Sequence, residues 1–231
     1  MNKFLTVAAG IACCVFTCTL EAVAQGVEVS ASPQNIGYVG RTYNGIAGSP
    51  YLFPDWANGR VKMANGTVYE GLKLRYDQLN DELIFTLEDG RPKAFMHPVQ
   101  EFTIKNESTA GVIDERLFRN GFAAIDGATE KSFYEVLQEG KTSLVKRTTK
   151  AIVEERAAGN RYATKQIKPT ERYYLAIGPT LTKIRKDKKA LLGALPDQAK
   201  AKQVEKFISD RKLNLKHDSA LAQAVAHYNS L

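Results

Sequence analysis

Residues 59–104 read GRVKMANGTVYEGLKLRYDQLNDELIFTLEDGRPKAFMHPVQEFTI, a run of short alternating segments parted by turn signals. Val61 and Met63 alternate with Arg60 and Lys62. Asn65-Gly66 follows, a dipeptide that tolerates positive φ at both central positions of a type I′ hairpin turn. Val68, Leu72, Leu74 and Tyr76 then share one parity while Lys73 and Arg75 take the other, so a period of two sends apolar groups to a covered face and charges to water. Glu70-Gly71 interrupts that parity and predicts a bulge or an edge position. Gln78 to Asp81 is the next turn. Leu83, Phe85 and Leu87 alternate beyond it with Ile84 and Thr86, and Glu88-Asp89-Gly90 reverses the chain again. Ala94, Phe95 and Met96 form a weaker strand closed by Pro98, and Phe102 and Ile104 alternate with Thr103 and Lys105. The pattern is an antiparallel β-meander.

Working outward toward the N-terminus, residues 1–24 carry one early lysine, an apolar run from Phe4 to Leu20 and the small-x-small sequence Ala22-Val23-Ala24. This is the pattern of a secretory signal cut after Ala24. The apolar run is shorter than the ~20 residues of a spanning helix, and Gly10 and several threonines interrupt it. Cys13, Cys14 and Cys18 all fall in this segment, so a chain beginning at Gln25 holds no cysteine, which excludes disulfides, thiolate metal sites and a cysteine nucleophile from it. Lipidation of the N-terminus is opposed by the lack of a leucine three positions ahead of Cys13 or Cys18. Asn65-Gly66-Thr67 and Asn106-Glu107-Ser108 match the glycosylation sequon by chance in a chain of bacterial periplasmic or cell-surface character.

Residues 25–58 are rich in Gly, Ser, Asn and Tyr, with Val27 and Val29 alternating as a candidate first strand. The remainder is an irregular lead-in ending in Gly48-Ser49-Pro50-Tyr51-Leu52-Phe53-Pro54-Asp55-Trp56, where two prolines forbid a regular ladder. Its aromatics, Tyr51, Phe53 and Trp56, either plug an open end of the sheet or form an aromatic rim for a ligand such as a sugar.

Downstream of the meander, residues 106–130 show no clean period, with Leu117, Phe118 and Phe122 as core candidates. Phe133 to Leu137 and Ser143 to Val153 read as a hairpin about Glu139-Gly140. Arg161 to Ile167 and Arg172 to Ile177 read as two strands split by Lys168-Pro169-Thr170. The character changes at Gly178-Pro179. Thr182 can cap a helix with Ile184, Leu191, Leu192 and Leu195 on one face and Lys183, Arg185, Lys186, Lys188 and Lys189 around the rest. Pro196-Asp197 stops it and caps a second helix carrying Val204, Phe207 and Ile208; Asp218 caps a third carrying Leu221, Val225 and Tyr228. The fold class is therefore α+β: a meander or curved antiparallel sheet over 59–177, then a short bundle of basic amphipathic helices over 178–231, packed on or beside it.

Gly48-Ser49-Pro50-Tyr51-Leu52, Gly66-Thr67-Val68-Tyr69, Leu74-Arg75-Tyr76-Asp77, Asp81-Glu82-Leu83, Glu101-Phe102, Phe133-Tyr134-Glu135-Val136-Leu137 and the closing His227-Tyr228-Asn229-Ser230-Leu231 resemble a family of uncharacterised exported bacterial envelope proteins. The resemblance implies one continuous exported module and carries over no catalytic residue.

Charge is distributed lengthwise. Residues 25–140 hold 11 Lys and Arg against 16 Asp and Glu, whereas residues 141–231 hold 20 against 8. Such a basic half meets an anionic partner or is solvated and partly neutralised by the acidic half. For an exported chain the partners are an anionic membrane surface, a glycan or an acidic protein; nucleic acid is disfavoured by compartment and by the absence of a recognised module. His97, His217 and His227 lie far apart without metal-ligand spacing, no nucleophile-elbow or phosphate-loop motif occurs, and no cofactor is expected. Asp77, Asp81 and Glu82 are turn formers that could gather at one rim, as a calcium site or glycosidase needs. Three functions follow: a non-enzymatic binding or scaffolding module, with Tyr51, Phe53, Trp56, Lys183, Arg185, Lys186, Lys188 and Lys189 as candidate contact surface; a carrier of an amphiphile in a groove lined by Leu72, Leu74, Phe85 and Phe95; or a carboxylate-dependent hydrolase.

Overall fold

The computed structural model describes residues 32–108, 110–156 and 163–231. The expected signal, the Val27/Val29 strand and Arg161 lie outside them. The first strands are β1 (Asn35–Gly37), β2 (Ile46–Ala47), β3 (Ala57–Met63), β4 (Val68–Asp77), β5 (Glu82–Thr86) and β6 (Pro92–Phe95). They are followed by β7 (Val99–Glu107), β8 (Ile113–Arg119), β9 (Tyr134–Gln138), β10 (Ser143–Glu155), β11 (Thr164–Ile177) and β12 (Thr180–Ile184), and by helices α1 (Lys188–Ala194), α2 (Gln198–Asp210) and α3 (Asp218–Ser230). The strands form one sheet in the order β1-β6-β5-β4-β3-β7-β8-β9-β10-β11-β12, antiparallel except where the short β2 joins β11 in parallel. This is the α+β arrangement expected, with the helices after the sheet.

The meander folds as its periodicity dictates. Leu72, Leu74, Tyr76, Leu83 and Phe85 face inward and meet Val61, Met63, Phe102, Ile104, Phe118 and Phe133 in one core cluster, where Tyr76, Phe102, Phe118 and Phe133 pack ring against ring. Between Gly59↔Leu72 and Val61↔Tyr69 β4 carries one residue more than β3, a bulge at Glu70-Gly71 that Gly71 permits with φ of 68°. At the preceding hairpin only Gly66 takes positive φ (88°), with the Gly66 N–H donating to the Met63 carbonyl and the Asn65 side chain accepting from the Thr67 N–H. The turn is thus not type I′: Asn65 stabilises it through its side chain, and glycine alone supplies the left-handed residue.

Three further differences have physical causes. Residues 106–130 contain β8, where Asp114 and Arg116 share the parity of the buried Phe118 while Ile113 and Leu117 take the other, so charged and apolar residues fall on both faces and no alternation shows. Strand β11 runs unbroken through Pro169. Lys150, its partner across the ladder, donates its N–H away from β11 to the Gln78 carbonyl, so the pair is not hydrogen-bonded and the missing proline N–H faces the outer edge, in the gap between the pairing with β2 and that with β12. Finally, Thr180–Ile184 is a strand rather than the start of a helix, because Leu181 and Ile184 complete the sheet opposite Ala176 and Tyr173; the helix begins at Lys188, with Asp187 accepting from the Ala190 N–H. Asp197 caps α2 as expected, whereas His217 occupies the cap position of α3 and Asp218 its first turn.

The sheet's second half is covered on both faces. Leu144, Tyr173, Leu175 and Ile184 pack beneath the three helices through Leu191, Val204, Ile208, Leu221 and Val225, while Tyr134, Val145, Tyr174, Ala176 and Leu181 meet Phe122 on the reverse. The lead-in ties the halves together. Residues 35–38 hydrogen-bond along β6, residues 46–47 pair with β11, and the chain then returns to the meander.

Candidate functional site

The motif Gly48-Ser49-Pro50-Tyr51-Leu52 is spent on docking. Lys150 reaches from β10 to donate its ammonium to the carbonyls of Ser49 (3.0 Å) and Tyr51 (2.6 Å), the Gln78 N–H donates to the Pro50 carbonyl, and the Leu52 N–H donates to the Tyr76 carbonyl. Burial pulls the Lys150 ammonium below its ordinary range. The three aromatics that follow divide. Phe53 is buried in the meander core, with the Arg116 guanidinium 5.4 Å from its ring, so it offers no contact surface. Tyr51 and Trp56 stay half-buried on the outer face, where the Arg75 guanidinium lies 4.8 Å and 4.6 Å from their ring centroids.

The rim carboxylates meet at the β4–β5 hairpin, where Asp77 lies opposite Glu82, and each is engaged by its own donors. Asp77, buried, accepts from the N–H groups of Leu79 and Asn80, the Asn80 side chain and the Tyr43 hydroxyl. Asp81, at φ of 58°, accepts from the Tyr76 hydroxyl (2.6 Å) and from Arg147 (3.0 Å). Glu82 accepts from Tyr38 at 2.9 Å. Burial, reinforced by these carboxylates, raises the hydroxyls of Tyr38, Tyr43 and Tyr76 above the ordinary tyrosine range. No group of three or more potential metal ligands gathers among the described residues. The histidines do not converge: His97 bonds Gln34, His217 precedes α3 without a side-chain cap bond, and His227 stacks on Phe207 with ring centroids 4.1 Å apart.

Four of the five basic residues marked as contact surface in the C-terminal part pair within the chain. Lys183 pairs with Asp126, Arg185 with Asp187, Lys186 with Asp218 and Lys188 with Glu205; Lys189 is exposed. Lys186 belongs to a network that no local spacing reveals. Lys146, buried on β10, lies 2.9 Å from Glu135 of β9 and 3.0 Å from Asp218 at the start of α3, and Tyr173 donates to Asp218 at 2.9 Å. Burial works against the Lys146 ammonium, yet Glu135 and Asp218 together hold it above its ordinary range. Burial likewise opposes the Asp218 carboxylate, and hydrogen bonds from Lys146 and Lys186 hold it below the usual range. The carboxylate also sits at a helix N-terminus, where the dipole favours negative charge. These groups fasten α3 to the sheet.

The proposed groove residues Leu72, Leu74 and Phe85 are fully within the core, and the Phe85 and Phe95 rings touch with centroids 4.5 Å apart. An apolar groove lies instead at the open end of the curled meander. It holds about 500 Å³ and is walled by Leu83, Phe95, Val99 and Phe133, with Glu82 and Lys131 on its rim. Met96 lines it at 54% exposure, while Ile36 at 54% and Val39 at 94% stand on the adjoining β1 and its extension. The sequence marked Phe95 and Met96 only as a weak strand, and the wall is assembled from segments up to 50 residues apart, Leu83 to Phe133. The described residues include no helix long and apolar enough to cross a membrane. Comparison with protein-family models, with curated proteins and with solved structures finds no match.

Proposed function

We propose that this protein is an exported, non-enzymatic binding module of the bacterial envelope, and that the groove beside Phe95 and Met96 receives the apolar part of an amphiphilic ligand. The observation that carries this reading is a groove of about 500 Å³ walled by Leu83, Phe95, Val99 and Phe133 and lined by the exposed Met96. Ligand pockets commonly span ~300–1,000 Å³ with apolar walls and a few polar groups at the mouth, and apolar side chains left in water at such a mouth mark a contact site. Lys131 on the rim suits an anionic head group. Export is supported by the apolar run and Ala22-Val23-Ala24 of residues 1–24. A non-enzymatic role is supported by the engagement of Asp77 and Asp81 in turn geometry, which leaves Glu82 as the carboxylate of the three that reaches the groove, where a two-carboxylate hydrolase needs a pair.

The test is displacement of anilinonaphthalenesulfonate from the purified protein by dodecanoate. Saturable dye binding, displaced by dodecanoate and weakened at least tenfold by Met96→Glu with the melting temperature unchanged, is the expected result. Dye binding that is absent, or indifferent to Met96→Glu, would sink the reading. Fractionation of the producing bacterium with N-terminal sequencing checks export: a chain starting at Gln25 outside the cytoplasm is expected.

A further inference from the structure

We infer that the outer face of the meander carries a second site, independent of the groove, that binds a carboxylated saccharide through Trp56, Arg75, Lys73 and Asn58. The starting point is Arg75. Its guanidinium is held against the rings of Tyr51 and Trp56, and its Nε is covered from solvent without a hydrogen-bond partner. Among the described residues no carboxylate pairs with it, although most half-buried arginines of this chain, such as Arg116, Arg119 and Arg147, have one. The two aromatic faces orient the cation without neutralising it. A planar donor fork fixed in this way is complementary to a carboxylate, which it can grip with two parallel hydrogen bonds.

The surroundings define the rest of the ligand. Lys73 lies two residues before Arg75 on the same face of β4, opposite Asn58 of β3, and Asn58 in turn lies opposite Lys105 of β7. The two lysines therefore stand two strand spacings apart, about 10 Å. Between them is a hollow of about 250 Å³ bounded by Trp56, Asn58 and Glu107, with the exposed Ile113 at its border. An aromatic face, an asparagine amide and an apolar rim match a sugar ring, which offers a flat C–H face and a girdle of hydroxyls. Glu107 decides between anionic ligands. It accepts hydrogen bonds from hydroxyls but repels a densely charged phosphate or an acidic peptide, so the ring seated in the hollow must combine neutral hydroxyls with one carboxylate, as each unit of a polyuronate does.

Trp56 is the sole tryptophan of the chain, so its emission reports the site directly. The experiment titrates the purified protein with a hexamer of galacturonic acid and, separately, with an uncharged hexasaccharide, following Trp56 fluorescence. Lys73→Ser, an exposed change, and Arg75→Lys, which keeps the charge but loses the fork, are measured in parallel with their circular dichroism and melting temperatures. The expected result is a saturable change with the acidic hexamer, at least tenfold weaker with the uncharged one, and at least a fivefold loss of affinity in both variants with their folds intact. Equal response to both saccharides, no response, or unchanged binding by the folded variants would overturn the inference. So would a stronger response to a poly-glutamate peptide or to anionic phospholipid vesicles than to the hexamer. Should Arg75→Lys fail to fold, Lys73→Ser alone decides.

Discussion

The carboxamide of Asn229 on α3 and the backbone of Thr142 exchange two hydrogen bonds: Oδ1 accepts from the Thr142 N–H at 3.1 Å and Nδ2 donates to the Thr142 carbonyl at 2.8 Å. Asn229 thereby takes the place of a neighbouring strand at the loop between β9 and β10, and Gly140 leaves room for it, since a Cβ there would collide with the carboxamide. Thr142 is buried, so Asn229→Ala strands both backbone groups. A loss of about 1–3 kcal/mol in urea unfolding is expected; a loss under about 0.5 kcal/mol would mean that the loop relaxes onto water.

The Asp218 network makes helix docking sensitive to acid. The folded carboxylate is held below its unfolded value, so its contribution is present above about pH 4 and is lost as pH falls through the folded value. Melting temperature should drop below pH 4 in the parent and less steeply in Asp218→Asn, which removes the titrating group. Equal slopes in the two proteins would refute this assignment.

Gly59 lies where β3 presses on its neighbours: a Cβ there would fall within van der Waals contact of Leu74 and 2.5 Å from the Thr103 carbonyl oxygen. Backbone cannot yield cheaply, and overpacking of this kind costs about 1–3 kcal/mol. Gly59→Ala should lower the urea midpoint accordingly without changing the slope of the transition.

Pro169 tests the reading of β11. Because the position it occupies needs no N–H toward β10, Pro169→Thr should alter stability by no more than about 0.5 kcal/mol, like other surface changes. A larger loss by thermal or urea unfolding would show that the ring itself organises the edge.

The meander was legible because β3, β4 and β7 each bury one parity, and the bulge at Gly71 announced itself as a break in that parity. Strand β12 was hidden by the cations at its end: Lys183 within it and Arg185 just after it lead into the lysines of helix α1, and charge density outweighs a five-residue alternation. The fate of Tyr51, Phe53 and Trp56 could not be read locally, since the partners that separate them are Arg75 and the core of distant strands. The same holds for Lys146, which meets Asp218 across 72 residues of chain. Spacing along the sequence predicts periodic faces; it says nothing of which cation a folded sheet will deliver to which acid.

The lead-in binds β6 through residues 35–38 and β11 through residues 46–47, strands that stand near opposite ends of the sheet order. A pull from the N-terminal side would load the β6 pairing first and only then, through the seven intervening residues 39–45, the β11 pairing. The segment is a strap with two separate buckles: if the one at β1 opens, residues 46–47 still pair with β11 and Lys150 still holds the carbonyls of Ser49 and Tyr51.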